Sequence, residues 1–180
     1  MNGTADLGLK APDGALYPRR MRVVGLSQMA VSQDPREVLI TYSLGSCIGL
    51  SLHDPEAGVG GLIHCMMPLS RSDPARAERE PCVYVDTGVV ALLQAVFDLG
   101  ASRAGLVVKV AGGATSFEDG SPLNVGKRNY AVLRKILWKN DILIGAEDVG
   151  GRKPRTMALY MNSGITTVKT GGRERTLEGR

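Results

Sequence analysis

The chain is poor in aromatic residues, in cysteine and in long apolar runs, and each shortage excludes a class of protein. Aromatic residues make up 4% of its 180 residues, which argues against a base-stacking platform for single-stranded nucleic acid and against an aromatic sugar-binding cleft. Three cysteines leave at least one thiol unpaired, which is typical of a reducing cytoplasm rather than of a disulfide scaffold. No apolar run approaches the roughly 20 residues that span a bilayer, and no secretory signal pattern opens the chain. We therefore expect a soluble cytoplasmic protein without membrane insertion.

The remaining composition fits one globular domain. Hydrophobic residues make up 43% and charged residues 22%, which are ordinary values for a folded chain. The net charge of +4 and the isoelectric point near 9.1 come from cations spread along the chain, so we expect weak attraction to acidic partners and no nucleic-acid binding. We expect a mobile leader over residues 1–19, a single domain over residues 20–169 and a flexible tail over residues 170–180, because neither end shows a strand or helix period.

Short β-branched and aliphatic runs dominate the domain. Eight such runs predict strands, at residues 22–26, 38–42, 48–52, 60–66, 106–110, 142–148, 156–162 and 165–169. Turn residues at 54–58 (DPEAG) and 162–164 (NSG) predict that the strands on either side of each turn pair antiparallel.

Two helices and one exposed loop are expected between the strands. Apolar residues recur at helical spacing after Asp86, which can cap the helix, and the run ends at Gly100. A second run begins near Val125 and ends near Asn140, while the polar segment 70–80 (SRSDPARAERE) has no period and predicts an exposed loop. The sequence therefore predicts an α+β fold in which mostly antiparallel strands are covered by two or three helices.

A cysteine and a histidine occupy the two strands that flank the 54–58 turn. If the turn is two residues long, Cys47 lies opposite His64; if the loop has four residues, Cys47 faces Met66 and His64 is its diagonal neighbour. Both alternatives place the two side chains on one face of the sheet. A three-residue loop would place them on opposite faces and exclude a shared site.

A thiol beside an imidazole suits covalent acyl transfer, because the thiolate attacks while the imidazolium stabilises it and later protonates the leaving group. A protonated His64 would lower the pKa of Cys47 below the ordinary value of about 8.5. Gly45 and Ser46 allow a tight turn before Cys47, so that main-chain N–H groups can face an oxyanion. The residues alone also allow a simpler interpretation, in which Cys47 is a small buried hydrophobic residue and His64 a hydrogen-bonded core histidine.

Other candidate sites are weaker. Cys65 alternates with His64 along a strand, so we assign Cys65 and Cys82 to packing. No Cys-x-x-Cys pair occurs, and we expect neither a metal nor a cofactor. Gly112 and Gly113 are not followed by the Gly-Lys-Ser/Thr of a phosphate loop, which favours a close-packed turn near the site.

Ordered motifs along residues 22–169 resemble the CheD family, the chemoreceptor glutamine deamidases of bacterial chemotaxis. They are TYSLGSC at 41–47, GLIH at 61–64, Pro68, YVDT at 84–87, KVAGGA at 109–114, NVG at 124–126, Arg128 with Asn129, and DVGG at 148–151. Each fragment is weak, whereas the ordered set with its Cys-to-His spacing is specific. The chain departs from the pattern in its leader and tail and at Met67, where the pattern leads us to expect leucine before the proline.

The resemblance implies a cysteine hydrolase with a β-sandwich and helices on one side, similar to the catalytic domain of a deamidating toxin. The resemblance implies that the catalytic triad consists of Cys47, His64 and Thr41. In this triad, Thr41 would orient the imidazole through its hydroxyl or its main-chain carbonyl. The implied reaction converts receptor glutamines into glutamates, with hydrolysis of glutamate methyl esters as a second output. Implied partners are chemoreceptor cytoplasmic helices and a CheC-type phosphatase, and Phe117 is a candidate for a partner surface. The alternative is a docking or regulatory module in which catalysis is secondary.

Overall fold

Ten strands form two five-stranded sheets that pack against each other. The computed structural model describes residues 20–115 and 124–178; the leader expected over residues 1–19 and the candidate Phe117 lie outside the described residues. The sheet orders are β1-β3-β8-β9-β10 and β2-β5-β4-β6-β7. The strands are β1 (Arg20–Val23), β2 (Met29–Ser32), β3 (Glu37–Leu44), β4 (Ile48–Asp54), β5 (Val59–Cys65), β6 (Val107–Gly112), β7 (Ala146–Val149), β8 (Arg155–Tyr160), β9 (Thr166–Thr170) and β10 (Arg173–Thr176).

Three helices accompany the sheets: α1 (Pro74–Arg79), α2 (Val85–Asp98) and α3 (Val125–Lys139). The pairs β1–β3 and β6–β7 are parallel and the other six pairings are antiparallel. The expected α+β sandwich with mostly antiparallel strands is therefore confirmed. None of the helices in the described ranges is both long and apolar enough to cross a membrane.

The central strands β4 and β5 are buried along their whole length. Alternate residues of β4 point to opposite sides of the sheet: Ile48, Leu50 and Leu52 join a cluster with residues of α2 and α3. The residues between them face the other sheet, where Ser51 and Thr166 share a hydrogen bond of 3.1 Å between their hydroxyls. Helices thus cover one side of this sheet, and the opposite side forms the interior of the sandwich, where polar residues are also found.

The segment 70–80 is largely exposed, as we expected, but it is not an irregular loop. It contains a 3-10 turn at Ser70–Ser72 and helix α1, whose N-cap Asp73 accepts a hydrogen bond from the Arg76 N–H at 3.0 Å. Asp86 does not cap α2; its carboxylate accepts from the N–H and the hydroxyl of Ser70. Asp86 therefore anchors this segment to α2, a tertiary contact that helical spacing does not reveal.

Two strand expectations also need correction. Strand β2 was missed because it has four residues, of which two are buried, too few for a periodic signal. In the run 142–148, the strand begins only at Ala146, because Ile142 packs into the core beside the helices instead of pairing with β6.

The expected flexible tail over residues 170–180 is wrong for residues 173–178, which are ordered against the domain. Gly171 and Gly172, with φ of 56° and 82°, turn the chain back so that β10 pairs with β9. Leu177 is 1% exposed and packs into the cluster between the sheets, and the Arg175 guanidinium donates to Asp148 at 2.8 Å. A single apolar residue after a run of charges gives no periodicity, so the sequence did not indicate this strand.

The positive charge is also less evenly spread than we expected. Helix α3 carries five cations and no carboxylate. The cations are Lys127, Arg128, Arg134, Lys135 and Lys139. A basic helix therefore lies against the sandwich.

We expect Leu177→Ala to lower the free energy of unfolding by about 2–4 kcal/mol, because it removes a fully buried side chain and leaves a cavity between the sheets. Urea unfolding followed by circular dichroism measures the change. The matched control is Leu143→Ala, since Leu143 is 86% exposed and its truncation should change stability by less than about 0.5 kcal/mol. If both substitutions change the free energy of unfolding equally, Leu177 does not pack between the sheets.

Candidate active site

A buried hydrogen bond joins Thr41 and His64 across the two sheets. Thr41 lies in β3 of one sheet and His64 in β5 of the other, and Thr41 Oγ1 is 2.8 Å from His64 Nδ1. Both residues are buried. Of the two ways in which Thr41 was expected to orient the imidazole, the structure shows contact through the hydroxyl. The bond occupies Nδ1 and leaves Nε2 as the nitrogen that can take part in proton transfer.

The second ring nitrogen, His64 Nε2, is buried and has no hydrogen-bond partner among the described residues. Burial lowers the pKa of His64 to about 4, because the imidazolium is disfavoured away from water. The ring is therefore neutral near pH 7. Buried polar atoms are nearly always hydrogen bonded in folded proteins, and an exception of this kind is typical of functional sites.

Cys47 lies in the loop between β3 and β4, one residue before β4 begins. The hairpin that follows has a four-residue loop, because Asp54 pairs with Val59 and Gly49 pairs with His64. The same register places Cys47 opposite Met66 and makes His64 its diagonal neighbour, so the four-residue alternative is confirmed. The half-buried Cys47 side chain packs against the apolar cluster between the sheets, on the side to which His64 also points.

The thiol and the imidazole are both uncharged in this arrangement. Burial raises the pKa of the Cys47 thiol, and its own main-chain N–H offsets this only in part. The expectation that a protonated His64 lowers the pKa of Cys47 is therefore wrong for this structure, because both groups are shielded from water and His64 Nε2 has no hydrogen bond to the thiol. The arrangement suits a general base that removes the thiol proton during attack, and such contacts often tighten only when substrate binds.

The turn at Gly112 and Gly113 holds the main chain of Cys47. The Gly113 N–H donates to the Cys47 carbonyl at 2.7 Å, and the Ala114 N–H donates to the Gly45 carbonyl at 2.8 Å. Gly112 has a φ of 110°, and a Cβ atom at this position would lie 2.3 Å from the Cys47 carbonyl oxygen. The close-packed turn expected from the sequence is confirmed, because its amides bind carbonyls of the cysteine loop.

Asn129 of α3 connects the cysteine loop to the strand of the histidine. Its Nδ2 donates to the Ser46 carbonyl at 2.9 Å and to the Met66 carbonyl at 3.0 Å. The side chain is fully buried, so the two bonds replace contacts with water. Reasoning from single residues missed Asn129, which entered only as part of a motif. The available signal was an amide on the buried side of α3, one helical turn before Leu133.

The main-chain N–H groups of the cysteine loop differ in their hydrogen bonding. Those of Ser46 and Cys47 donate to no backbone carbonyl within residues 20–115 and 124–178, whereas the Gly45 N–H donates to the Ser43 carbonyl at 2.8 Å. The Gly45 N–H therefore supports the turn, whereas the Cys47 N–H interacts with its own thiol and the Ser46 N–H is a candidate donor. Paired donors of this type stabilise an oxyanion when they point to the position where its charge develops.

A β-bulge separates Thr41 from the cysteine loop. The register against β8 shifts between Thr41 and Leu44, and Ser43 has a φ of 59°. The extra residue allows Thr41 and Leu44 to be buried while Tyr42 and Ser43 between them are exposed. Bulges commonly redirect side chains next to functional sites, and this one places Thr41 and the loop on the same interior.

The other cysteines lie outside this site. Cys65 and Cys82 belong to the cluster between the sheet and the helices, and burial raises the pKa of both thiols. Their assignment to packing is confirmed. In the described part of the chain, no group of three or more His, Cys, Asp or Glu side chains is placed to hold a metal ion.

A cleft of about 280 Å³ lies between the segment that follows β5 and the beginning of α3. Its lining is formed by Met67, Pro68, Leu69, Arg71, Ser72, Val125 and Arg128. Met67 and Arg128 are each the sequence neighbour of a residue in the Asn129–Met66 hydrogen bond, so α3 contributes both to this cleft and to the contacts that hold the cysteine loop. Its lining is almost entirely apolar, and Arg71 and Arg128 contribute to it.

Comparison with known proteins identifies relatives over most of the chain. A family model described as CheD chemotactic sensory transduction matches residues 66–170. The chain is 44% identical over 155 residues to a probable chemoreceptor glutamine deamidase CheD of Solibacter usitatus, covering 86% of this chain and 92% of that protein. It is 40% identical over 150 residues to probable chemoreceptor glutamine deamidase CheD 1 of Syntrophus aciditrophicus, covering 83% and 94%. It is also 40% identical over 148 residues to probable chemoreceptor glutamine deamidase CheD 2 of Anaeromyxobacter dehalogenans, covering 82% and 93%.

We expect iodoacetamide to modify Cys47 before Cys65 and Cys82, because Cys47 is half-buried and the others are buried. The rate of Cys47 alkylation should rise only when the pH exceeds the ordinary thiol pKa of about 8.5, since burial raises the pKa of Cys47. The rate should show no step near about pH 6.5, because His64 is already neutral there. Peptide mass spectrometry of native protein across pH measures both. If Cys65 or Cys82 is alkylated before Cys47, the choice of Cys47 as the reactive cysteine is wrong.

We expect Gly112→Ala to lower the free energy of unfolding by about 3 kcal/mol or more, because the new methyl group would overlap the Cys47 carbonyl and the backbone would be strained. Urea unfolding provides the measurement. Gly58→Ala is the matched control: Gly58 also has a positive φ, 64°, but nothing lies within 4 Å of its Cβ position, so only about 1 kcal/mol of backbone strain is expected. If both variants lose a similar amount of unfolding free energy, Gly112 is not in steric contact with the cysteine loop.

Proposed function

This chain belongs to the CheD family, and we propose that it is a chemoreceptor glutamine deamidase of bacterial chemotaxis, an amidohydrolase with Cys47 as its nucleophile. The observation that carries the proposal is the Thr41–His64 hydrogen bond, which leaves His64 Nε2 unpaired on the interior that the Cys47 thiol also faces. The relatives named as chemoreceptor glutamine deamidases support the substrate. We place the reaction in the cytoplasm, where the glutamine-bearing helices of the receptors lie.

The first half of the reaction forms a thioester. His64 Nε2 accepts the proton of the Cys47 thiol as the sulfur attacks the side-chain carbonyl carbon of the glutamine. The negative charge that develops on the carbonyl oxygen is stabilised by the N–H groups of Ser46 and Cys47. His64 then passes the proton to the amide nitrogen, the carbon–nitrogen bond breaks and ammonia leaves.

The second half releases glutamate. The neutral imidazole of His64 removes a proton from a water molecule, which attacks the thioester carbonyl. The carbon–sulfur bond breaks, the sulfur regains the proton from His64 and the product is a glutamate side chain. Thr41 does not touch the reacting atoms; it keeps Nδ1 occupied, so that Nε2 is directed to the sulfur in both halves.

The same acyl-enzyme forms from a glutamate methyl ester, with methanol as the leaving group instead of ammonia. Ester hydrolysis is therefore a proposed second output of the site. A CheC-type phosphatase partner stays a prediction. The alternative of a docking module requires that receptor signalling survives loss of the thiol, and the variants below separate the two.

We expect Cys47→Ala to reduce ammonia release from a receptor cytoplasmic fragment by at least about 10³-fold, because the covalent intermediate cannot form. An enzymatic ammonia assay and the mass shift from glutamine to glutamate measure the conversion. Cys82→Ala is the matched control and should retain activity, since Cys82 packs in the core away from the site.

If Cys47→Ala converts glutamine at the wild-type rate, the nucleophile is wrong. If the variant loses conversion but cells that carry it respond to attractants like wild type, the docking module is favoured over catalysis.

A further inference from the structure

The outward side of α3 is a continuous basic surface. The helix buries Gly126, Asn129, Leu133 and Leu137 against the domain. The residues exposed on its other side are Lys127, Arg128, Ala131, Arg134, Lys135, Trp138 and Lys139; we call these seven residues the α3 surface. All five cations of the helix therefore lie on this surface.

Within residues 20–115 and 124–178, few carboxylates lie near the α3 surface. None of the ion pairs formed between described residues includes a cation of α3. The Arg134 guanidinium lies 5.7 Å from the centre of the Tyr130 ring, and Glu147 accepts a hydrogen bond from the Tyr130 hydroxyl. Asp141 follows the helix in sequence. Five cations with these few acids nearby create a local positive potential that attracts an anionic partner.

An exposed aromatic side chain lies near the end of the α3 surface. Trp138 is the only tryptophan of the chain and is 76% exposed, and the exposed Leu143 follows a few residues later. Tryptophan and arginine are the residues most enriched among those that dominate binding at protein interfaces. The composition of this surface is thus that of an interface.

The surface begins at the candidate active site. Asn129 of the same helix holds the cysteine loop, and Val125 and Arg128 line the cleft beside it. The helix has 15 residues and so extends about 22 Å away from the cleft. A partner that lies along α3 therefore reaches the cleft at one end, while the rest of the partner remains in contact with the cations.

We propose that the α3 surface is the docking site for an acidic helical segment of the chemoreceptor that adjoins the glutamine being deamidated. This inference rests on the proposed function, because each completed reaction adds a carboxylate to the receptor helix and so increases its complementarity to the cations. The partner's carboxylates pair with Arg134, Lys135 and Lys139, and its apolar side chains cover Trp138. The length of α3 allows contact over several helical turns, which positions the glutamine at the cleft.

The contacts of α3 favour a protein partner over a membrane. A helix that lies on a membrane needs its own apolar side free to enter the lipid, whereas the apolar side of α3 is buried in the core of the domain. Only Trp138 on the exposed side offers a large apolar group.

Binding of a purified receptor cytoplasmic fragment that lacks tryptophan tests the proposal, because Trp138 emission then reports on the α3 surface directly. We expect a saturable blue shift. The double variant Lys135→Glu with Lys139→Glu should raise the Kd about tenfold and weaken its dependence on salt. The matched control, Arg103→Glu with Arg173→Glu, makes the same change in net charge at exposed positions outside α3 and should leave the Kd within about twofold.

Deamidation kinetics on the same fragment separate docking from chemistry. The α3 double variant should raise KM without lowering kcat. The lost contacts bind the substrate and the transition state equally, and the reacting groups are unchanged. Equal Kd values for the two double variants, or unchanged Trp138 emission at saturation, would overturn the proposal. Tighter binding of anionic vesicles or duplex DNA than of the receptor fragment, through the same residues, would also overturn it. Absence of ammonia release by wild-type protein would instead reject the proposed function.

Discussion

The hydrogen bond between Thr41 and His64 is the contact on which the candidate site depends, because it crosses the interior that separates the two sheets. Polar groups buried in such an interior lower stability unless they are paired, and a second pair of hydroxyls, those of Ser51 and Thr166, also meets across the sheets. His64 is one of three described residues with an unpaired buried polar atom, together with Asn129 and Thr170; its Nδ1 is paired and its Nε2 is not. The bond therefore fixes the ring while leaving it able to exchange a proton, and the β-bulge in β3 and the register of β4 and β5 both serve this placement.

The cysteine loop is held almost entirely through its main chain. The amides of Gly113 and Ala114 bind two of its carbonyls, and Asn129 binds a third. These contacts use carbonyl groups, and the N–H groups of Ser46 and Cys47 donate to no backbone carbonyl of the described residues. Support of this kind locates the nucleophile without using the atoms that the chemistry requires.

The electrostatic environment changes sharply between the interior and α3. Inside, burial raises the pKa of the Cys47 thiol and lowers that of His64, so that both groups are neutral near pH 7. Outside, α3 concentrates cations on one surface. Helix α3 takes part in both environments, through Asn129 on its buried side and through the cations on its exposed side.

Much of this protein could be read from the sequence, because short-range patterns encode local structure. Strand alternation and turn residues predicted the hairpin of β4 and β5 and limited the pairing of Cys47 and His64 to a few registers, and the apolar stripes predicted α2 and α3. Contacts between distant residues were decided only by the tertiary structure. The hydroxyl contact of Thr41, the double hydrogen bond of Asn129, the docking of Leu177 and the neutral state of the reactive pair all depend on which groups burial brings together and removes from water. No local period carries that information, since it arises from the packing of one sheet on the other.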